Sequence, residues 1–277
     1  MSTFVERSAK PKSLRKEELN VYGATSLGVV LSRDEVAYYL EDLKRKKADD
    51  LALFGREKLL ENGDLEVVRD LARFGGAYFA LLDNPHLNDF IDEVLNDRAV
   101  IHSYNAIITR PDVRSDMLGF RFHRDQPYFK DTRTSVNVMI PLVDYSAANG
   151  STEFVRSTHL FNAMPSEEFM EKNVSAASGV AGEAYAIDAS LWHRAGRNTS
   201  PGERPILTLK YTLAPFKQQV DFCVSAGDAI HAASERVKTR LGWDARVCQT
   251  YEEFREPGHL RKFKSGQYDM SGTDITA

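Results

Sequence analysis

The chain reads His123-Arg-Asp125 and, ten residues later, Ser135-Val-Asn-Val-Met-Ile-Pro-Leu-Val-Asp144. The second stretch is rich in Val and Ile and ends at Pro and Asp, which is typical of a strand followed by a turn. Successive side chains of a strand point to opposite faces, so Asn137 and Met139 share one face. In an extended segment the same rule places His123 and Asp125 side by side.

Strand-like runs of this kind fill the chain after residue 99, whereas the N-terminal third reads as helix. The runs, bounded by Pro, Gly, Asp and Asn, are Val100–Thr109, Ser135–Leu142, Ala184–Ala189 and Ile206–Leu213. Helices followed by many short strands predict helices packed against one closed or sandwiched sheet. The residues alone leave a double-stranded β-helix (jelly roll) and other β-sandwiches open.

The N-terminal part of the chain carries two helix starts. Ser32 and Glu35 have the spacing of a capping box, and Asn84 stands before Pro85 as a cap followed by proline at the first helical position. The other segments are predicted as a poorly ordered lead-in at 1–20, a strand at Ala24–Val30, further helix at 50–74 and a helix around Ala232–Leu241.

The composition is typical of a single globular domain that covers residues 1–277. Of the 277 residues, 42% are hydrophobic and 27% are charged, with a formal net charge of −4. This balance gives no reason to expect nucleic acid or an anionic membrane as a partner. Cys223 and Cys248 lack the spacing of a metal knuckle or a disulfide framework, and no stretch approaches the length of a membrane span. We therefore expect a cytoplasmic protein.

Two histidines and one carboxylate form the most informative group of residues. His123, Asp125 and His193 make up the minimal ligand set of a non-haem Fe(II) site that keeps coordination positions open. A His-x-Asp triplet by itself is common and is more often a hydrogen-bonded surface pair. Arg204 stands eleven residues beyond His193, and its planar guanidinium can hold a carboxylate through two parallel hydrogen bonds. Together the four residues indicate an iron enzyme that uses a keto acid.

These residues and the segments between them resemble the phytanoyl-CoA dioxygenase family of Fe(II)/2-oxoglutarate-dependent oxygenases. The family signature is His-x-Asp on one strand, a distal His, and an Arg about eleven residues beyond it. The resemblance covers roughly residues 20–215 and includes the strand that ends in Pro141-Leu-Val-Asp144 and the stretch Asn149–His159. Two positions depart from the family pattern: Ala195 stands where Ser is frequent, and Arg156–His159 replaces Pro-Gly-Ser-His.

The resemblance implies a mostly β fold with packed helices, in which residues 100–215 form a jelly-roll, cupin-like core. It implies that His123, Asp125 and His193 hold Fe(II). It also implies that Arg204 binds the far carboxylate of the cosubstrate 2-oxoglutarate and that O2 is the oxidant.

Further expectations concern contacts around the metal. Asn137 and Tyr104 fall near positions where family members place contacts to the cosubstrate. The segment Pro111–Gly119 immediately precedes the ligands and is a candidate lid. Its mixed charges favour a polar substrate.

The function implied is hydroxylation, or another oxidation at a C–H bond, of a small polar metabolite or natural-product intermediate, with release of succinate and CO2. Asp125 favours oxygen transfer over halogenation, because related iron halogenases have Gly or Ala at that position. One alternative is a cupin-like metal-binding protein or zinc hydrolase, which leaves Arg204 without a role. The other is a family member that binds a ligand without catalysis.

Overall fold

The strands of the molecule form two antiparallel sheets. The computed structural model describes residues 10–111 and 118–258. The strands are β1 (Ala24–Val29), β2 (Val67–Val68), β3 (Val100–Thr109), β4 (Ser135–Pro141), β5 (Thr152–Val155), β6 (Val174–Ala176), β7 (Glu183–Asp188), β8 (His193–Ala195) and β9 (Arg204–Thr212). The large sheet has six strands in the order β1-β7-β4-β9-β3-β2.

A smaller sheet of three antiparallel strands, in the order β6-β5-β8, packs against the large one. Between the sheets lies an apolar cluster in which Met139, Tyr185 and Ile206 of the large sheet meet Phe154 of the small sheet. Each of these side chains is buried. Two antiparallel sheets closed over a shared interior form a jelly-roll core. The predicted fold class is therefore confirmed.

The other face of the large sheet is covered by helices. The α-helices are α1 (Lys12–Tyr22), α2 (Arg33–Phe54), α3 (Arg56–Glu61), α4 (Gly76–Leu82), α5 (Pro85–Val94), α6 (Glu167–Asn173), α7 (Phe222–Ser225), α8 (Glu235–Leu241) and α9 (Tyr251–Arg255). Short 3-10 helices occupy Leu71–Phe74, Leu118–Phe120, Thr158–Leu160 and Gly227–Ala232. A single buried cluster joins Tyr78 of α4, Leu87 of α5 and Leu241 of α8 to Val138 and Leu209 of the sheet.

Both predicted helix starts are present. The Ser32 hydroxyl accepts from the Glu35 backbone N–H, and the Glu35 carboxylate accepts in return from the Ser32 backbone N–H. The side chain of Asn84 accepts from the two backbone N–H groups of His86 and Leu87. Such caps satisfy donors that the first turn of a helix leaves open, and each contributes about 1 kcal/mol.

The side chains of the three central strands alternate between an apolar and a polar face. On β4, Val136, Val138 and Ile140 face the helices, whereas Asn137 and Met139 face the interior of the jelly roll. Strands β3 and β9 alternate in the same way. The interior-facing residues of these two strands include Ser103, Asn105, Thr109, Arg204, Thr208 and Lys210. The fold thus directs polar side chains into the space between the two sheets.

The predicted lead-in at 1–20 needs a correction from residue 12 onward. Helix α1 begins at Lys12 and buries Leu19 completely. Gly23, at a φ of 77°, ends the helix and donates its N–H to the Leu19 carbonyl. The Lys- and Glu-rich sequence conceals this anchor, because one leucine is a weak periodic signal. Residues 1–9 lie outside the described part of the chain.

The continuous helix predicted over 50–74 is also wrong in part. Helix α2 ends at Phe54, and Gly55 adopts a φ of 78°, a left-handed value that breaks the helical path. After α3 the chain forms the two-residue edge strand β2, which pairs with Ala106 and Ile107 of β3. The apolar residues whose spacing suggested a helix, Leu65, Val68 and Leu71, therefore lie in a turn, in β2 and at the start of a 3-10 helix.

The remaining expectations are met closely or fall outside the described residues. The predicted strands correspond to β1, β3, β4, β7 and β9 within one or two residues at each end. The helix predicted around Ala232–Leu241 corresponds to α8, which begins at Glu235. Most of the candidate lid, residues 112–117, is outside the described part of the chain. Within that part, no helix combines the length and the apolar character that crossing a membrane requires.

Candidate active site

The three candidate metal ligands come together at one end of the jelly roll. His123 and His193 form a two-way backbone bridge, with N···O distances of 2.9 and 3.0 Å. The Asp125 N–H donates to the Ala189 carbonyl at 2.9 Å. This hydrogen bond holds Asp125 on the same side of the chain as His123, two residues before it. His123 and Asp125 were expected on a regular strand, whereas the structure has an isolated bridge. One bridge and one hydrogen bond suffice to bring the distant His193 beside both.

Both histidine rings are held in the same way. The Nδ1 atom of His123 lies 2.9 Å from the Arg121 carbonyl oxygen, and Nδ1 of His193 lies 2.9 Å from the Leu191 carbonyl oxygen. Because a carbonyl oxygen can only accept, each Nδ1 carries the proton and donates it. Each Nε2 then keeps a lone pair for a metal.

Asp125 is oriented by its second carboxylate oxygen. The Asn137 side-chain amide donates to Oδ2 of Asp125 at 2.9 Å, while Oδ1 faces the Nε2 atoms of the two histidines. Asn137 therefore lies inside the site where the sequence analysis expected it, in contact with a metal ligand. Its expected role toward the cosubstrate stays a prediction.

The electrostatics of the site favour a carboxylate and a bound cation. Burial raises the pKa of Asp125, but His193, His123 and Lys210 lower it by more, so the net pKa lies below the ordinary value. Burial lowers the pKa of His193, which favours the neutral ring that ligates metal. For His123 burial lowers the pKa, but the interactions of the ring with Asp125 and with the Arg121 carbonyl together raise it by more, so the net pKa lies above the ordinary value. The raised pKa favours a second ring proton, on Nε2 of His123 facing Asp125. A metal ion bound there would take the place of that second proton.

The donor set fits Fe(II). The Nε2 atoms of His123 and His193 lie 3.6 and 3.7 Å from Oδ1 of Asp125, and one ligand atom from each of the three residues lies within 4.8 Å of the others. Two atoms that each lie about 2.1 Å from one ion are separated by at most about 4.2 Å, so each histidine nitrogen can share one ion with Oδ1 of Asp125 as the side chains stand. Two imidazoles and a carboxylate that leave further positions open are the ligand set of non-haem iron oxygenases.

A cavity of about 380 Å³ opens beside the three ligands. Its wall is built mainly by the interior-facing residues of β3, β4 and β9, with Met139 and Ile206 as apolar members. Ala195, the position where the family often has Ser, also lines the cavity. The volume is within the range of small-molecule binding sites.

Arg204 points into this cavity from the first position of β9. It is 2% exposed, and its guanidinium donates to Oη of Tyr145 at 2.8 Å and to Oγ1 of Thr109 at 2.7 Å. Its buried Nε–H has no hydrogen-bond partner in the described part of the chain. Both hydrogen-bond partners are neutral hydroxyls, and no carboxylate of the described residues pairs with this guanidinium. The two hydroxyls hold the guanidinium in place, and its remaining N–H groups can donate to a ligand.

Tyr104 is a correction to the predicted site. Its side chain is fully buried on the helix side of β3, where its hydroxyl donates to the Tyr78 carbonyl oxygen at 3.2 Å. Its neighbours Ser103 and Asn105 line the cavity instead. Because side chains alternate along a strand, an error of one residue in register moves a side chain to the other face.

Two residues of the cavity wall escaped the sequence analysis. The sequence analysis assigned no role to His102 or Lys210, yet both line the cavity. The signal for Lys210 was available, since Arg204, Ile206, Thr208 and Lys210 follow the two-residue period along one strand. For His102 no sequence signal existed, because a β-bulge between Ile101 and Ser103 turns it inward.

Comparison with known proteins decides the family. The sequence model of the phytanoyl-CoA dioxygenase (PhyH) family matches residues 19–206, which is more than half of the chain and includes the three candidate ligands and Arg204. The chain belongs to the phytanoyl-CoA dioxygenase family. This PhyH protein has a His–Asp–His group of the kind that binds iron in non-haem oxygenases. The family and the site together support a dioxygenase type of function.

Individual relatives of this PhyH protein are distant. The protein Rv1501 of Mycobacterium tuberculosis is 29% identical over 257 residues, which cover 91% of this chain and 94% of the relative. The dioxygenase cdmA of Talaromyces verruculosus is 24% identical over 171 residues, 61% of this chain and 55% of that protein. The solved structure of ThoJ, described as a non-heme monooxygenase, matches 82% of this chain and 96% of its own with a TM-score of 0.59 and 17% identity. At that identity the likeness bears on the fold alone.

Proposed function

We propose that this PhyH protein is an Fe(II)/2-oxoglutarate-dependent dioxygenase that hydroxylates a small polar metabolite. The observation that carries the proposal is the buried guanidinium of Arg204 in the cavity that the metal ligands share. Burying a cation costs several kcal/mol unless an anion offsets it. Neither Thr109 nor Tyr145 supplies that charge, so a carboxylate from a small molecule is the matching partner.

The geometry of Arg204 suits a dicarboxylate that also reaches the metal. A guanidinium presents parallel N–H pairs that match the two oxygens of a carboxylate. The hydroxyls of Thr109 and Tyr145 fix the plane of the guanidinium before any ligand arrives. A keto acid with one carboxylate at each end can use one end at the metal and the other at Arg204. The cupin-like alternative gives this arginine no such role.

The residues of the chain supply binding and orientation. His123, Asp125 and His193 would hold the iron, and Asn137 would hold Asp125 with Oδ1 toward it. Bound Fe(II) with 2-oxoglutarate would supply the oxidising chemistry, in which one atom of O2 enters succinate, CO2 leaves, and the other atom becomes the hydroxyl group of the product. Apolar Met139 and Ile206 would keep bulk water from that part of the cavity.

The substrate is proposed to be a small molecule because a cavity of about 380 Å³ would have room for the cosubstrate and one molecule of moderate size. Polar side chains such as Asn105, Thr208 and Thr152 line it beside apolar ones, which favours a polar metabolite or natural-product intermediate. Both cysteines are free, as is usual for a protein of a reducing cytoplasm, and we propose that location.

Anaerobic titration of the Fe(II)-loaded protein with 2-oxoglutarate tests the proposal. We expect a weak metal-to-ligand charge-transfer band in the visible range, lost in His193→Ala. We expect Arg204→Met to weaken 2-oxoglutarate binding about ten- to hundredfold, because charge-assisted hydrogen bonds contribute roughly 1.5–3 kcal/mol. Arg197→Met is the matched control, since Arg197 is exposed and does not line the cavity.

Turnover in air completes the test. Succinate should appear in proportion to 2-oxoglutarate consumed, and more quickly when the substrate is present. An iron-loaded, folded protein that gives no band and consumes no 2-oxoglutarate would reject the proposal in favour of a cupin-like or ligand-binding protein.

A further inference from the structure

The cavity contains a second buried cation at the opposite end of β9 from Arg204. Lys210 is 8% exposed and lines the same cavity. The two residues are six positions apart, so their Cα atoms are about 20 Å apart along the strand. The Lys210 ammonium donates to the backbone carbonyl oxygen of Asp125 at 2.7 Å. It therefore lies close to the metal ligands, whereas Arg204 lies at the far end.

Among the residues that the structure describes, Lys210 lacks the ion-pair partner that the neighbouring cations have. Of the other basic residues that line the cavity, Arg69 pairs with Asp64 at 2.6 Å, and Arg194 pairs with Glu153 at 2.7 Å. Within the described residues no carboxylate side chain forms an ion pair with Lys210. Among the described residues of the cavity wall, Arg204 is the other cation without an ion pair to a carboxylate.

A count of charges indicates what is missing. Asp125 is the single carboxylate among the described residues that line the cavity. With Fe(II), a 2-oxoglutarate dianion, Asp125 and Arg204 in place, the charges cancel. Lys210 then leaves one positive charge unopposed in a buried space, which is costly unless an anion joins it. The hydrogen bond to the Asp125 carbonyl does not account for the charge, because a neutral donor would serve it equally well.

The neighbours of Lys210 complete a polar corner. Ser103 is paired with Lys210 across β3 and β9, and the bulge beside it turns His102 inward as well. The Nδ1 atom of His102 lies 2.9 Å from the Lys217 carbonyl oxygen and so donates to it, which leaves Nε2 for a ligand. Bulges commonly re-aim a side chain next to a binding site. The corner offers one cation with neutral hydrogen-bonding groups beside it.

We propose that Lys210, with His102 and Ser103 beside it, forms a subsite that binds a carboxylate group of the substrate. The proposal rests on the proposed function and narrows its substrate class to small carboxylic acids. Arg204 would hold the far carboxylate of the cosubstrate, whose other end reaches the metal, and Lys210 would hold the substrate on the side of the metal away from Arg204. The rival interpretation is that Lys210 contacts the metal-bound end of 2-oxoglutarate.

Matched acid and amide probes test the subsite in the full-length protein loaded with Fe(II) and 2-oxoglutarate under anaerobic conditions. The probe pairs are hexanoate with hexanamide and 3-phenylpropanoate with 3-phenylpropanamide, which differ in charge but little in shape. Binding is followed by the perturbation of the charge-transfer band and by calorimetry. We expect at least one acid to bind about tenfold more tightly than its amide, as one charge-assisted hydrogen bond allows.

Variants assign that preference to Lys210. In Lys210→Gln the acid should lose its advantage over the amide, whereas Lys210→Arg should keep most of it. Lys172→Gln is the control, because Lys172 is exposed and pairs only with Glu168 on α6 among the described residues. The affinity for 2-oxoglutarate should fall by less than about threefold in Lys210→Gln, because Lys210 is hydrogen-bonded to the backbone carbonyl of Asp125 and would act on the cosubstrate only through its charge.

The outcomes separate this inference from the proposed function. If 2-oxoglutarate fails to bind the wild type, the proposed function fails and the subsite fails with it. If 2-oxoglutarate binds but no acid is preferred over its amide, the subsite alone is overturned. If Lys210→Gln binds 2-oxoglutarate about tenfold more weakly, Lys210 belongs to the cosubstrate, and again only the subsite is overturned.

Discussion

On the helix side of the large sheet, Leu209 and Tyr211 of β9 are fully buried among apolar side chains. On the other side of the same strand, Arg204 and Lys210 are almost as deeply buried, yet they are cations without carboxylate partners among the described residues. Apolar burial stabilises the fold at about 25 cal/mol per Å², whereas buried unpaired charge destabilises it. The apolar face of β9 therefore stabilises the fold. The other face carries buried charges that destabilise the fold unless bound anions offset them.

Removal of a candidate metal ligand should give the largest effect on turnover and little effect on stability. It therefore tests the contrast between the functional and the stabilising face of the sheet. His193→Ala takes one of three ligands from the site, so we expect 2-oxoglutarate turnover to fall about a thousandfold or more, equivalent to roughly 4 kcal/mol. The free energy of unfolding of the metal-free protein should change by less than about 2 kcal/mol, because the main loss is one buried hydrogen bond to Leu191. Chemical denaturation and a succinate assay measure both quantities. Turnover within tenfold of wild type would rule out this residue as a ligand.

The opposite face should give the opposite result. Leu209→Ala leaves a cavity among Tyr104, Val138 and the helices, and we expect it to lower the free energy of unfolding by about 2–5 kcal/mol. The neighbour Thr208 is the matched control on the cavity side. Thr208→Ala loses one partly buried hydrogen bond to the Asn105 carbonyl oxygen and should cost about 1 kcal/mol or less. Urea unfolding of both variants decides. Equal losses would contradict the division of the strand into a stabilising and a functional face.

Asn137 tests whether the polar face orients the metal site as well as lining it. Asn137→Ala removes the amide that holds Oδ2 of Asp125, and we expect Fe(II) affinity to fall about ten- to hundredfold, as for other residues that orient a ligand. Competition with a chromogenic chelator measures the affinity. Val138→Ala, one residue along on the apolar face, should instead lower stability and leave the affinity unchanged. An unaltered Fe(II) affinity in Asn137→Ala would remove this role.

The sequence allowed prediction of the elements with strong local signals. Strands β3 and β4 were placed nearly to the residue, because long alternating runs end at clear turn residues. The short strands β5, β6 and β8 were not identified, since three or four residues carry little periodicity, and their positions depend on contacts with the large sheet. The helix error near Gly55 has a similar origin, because spacing alone does not reveal a left-handed backbone position.

The residues of the candidate site likewise divide into those that the sequence predicted and those that depend on tertiary structure. The three candidate ligands and Arg204 were found from residue type and spacing, and the structure brings them to one cavity, although their roles stay predictions. Lys210 was missed because lysines are usually solvated, and its burial is a consequence of tertiary structure. Tyr104 was misplaced because the bulge between Ile101 and Ser103 shifts the register by one residue. A bulge depends on how two strands pair, so one strand's sequence does not reveal it.

Tyr104 gives the smallest effect and the sharpest check on that register. Tyr104→Phe removes only the hydroxyl that donates to the Tyr78 carbonyl oxygen, so we expect a loss of about 1 kcal/mol in the free energy of unfolding. The KM for 2-oxoglutarate should stay at the wild-type value, because the side chain lies on the helix side of β3. Asn105→Ala, on the cavity side, is the comparison and should raise that KM. If Tyr104→Phe raised the KM and left stability unchanged, the first-strand contact would be at Tyr104 after all, and the strand would face the cavity one residue out of the register described here.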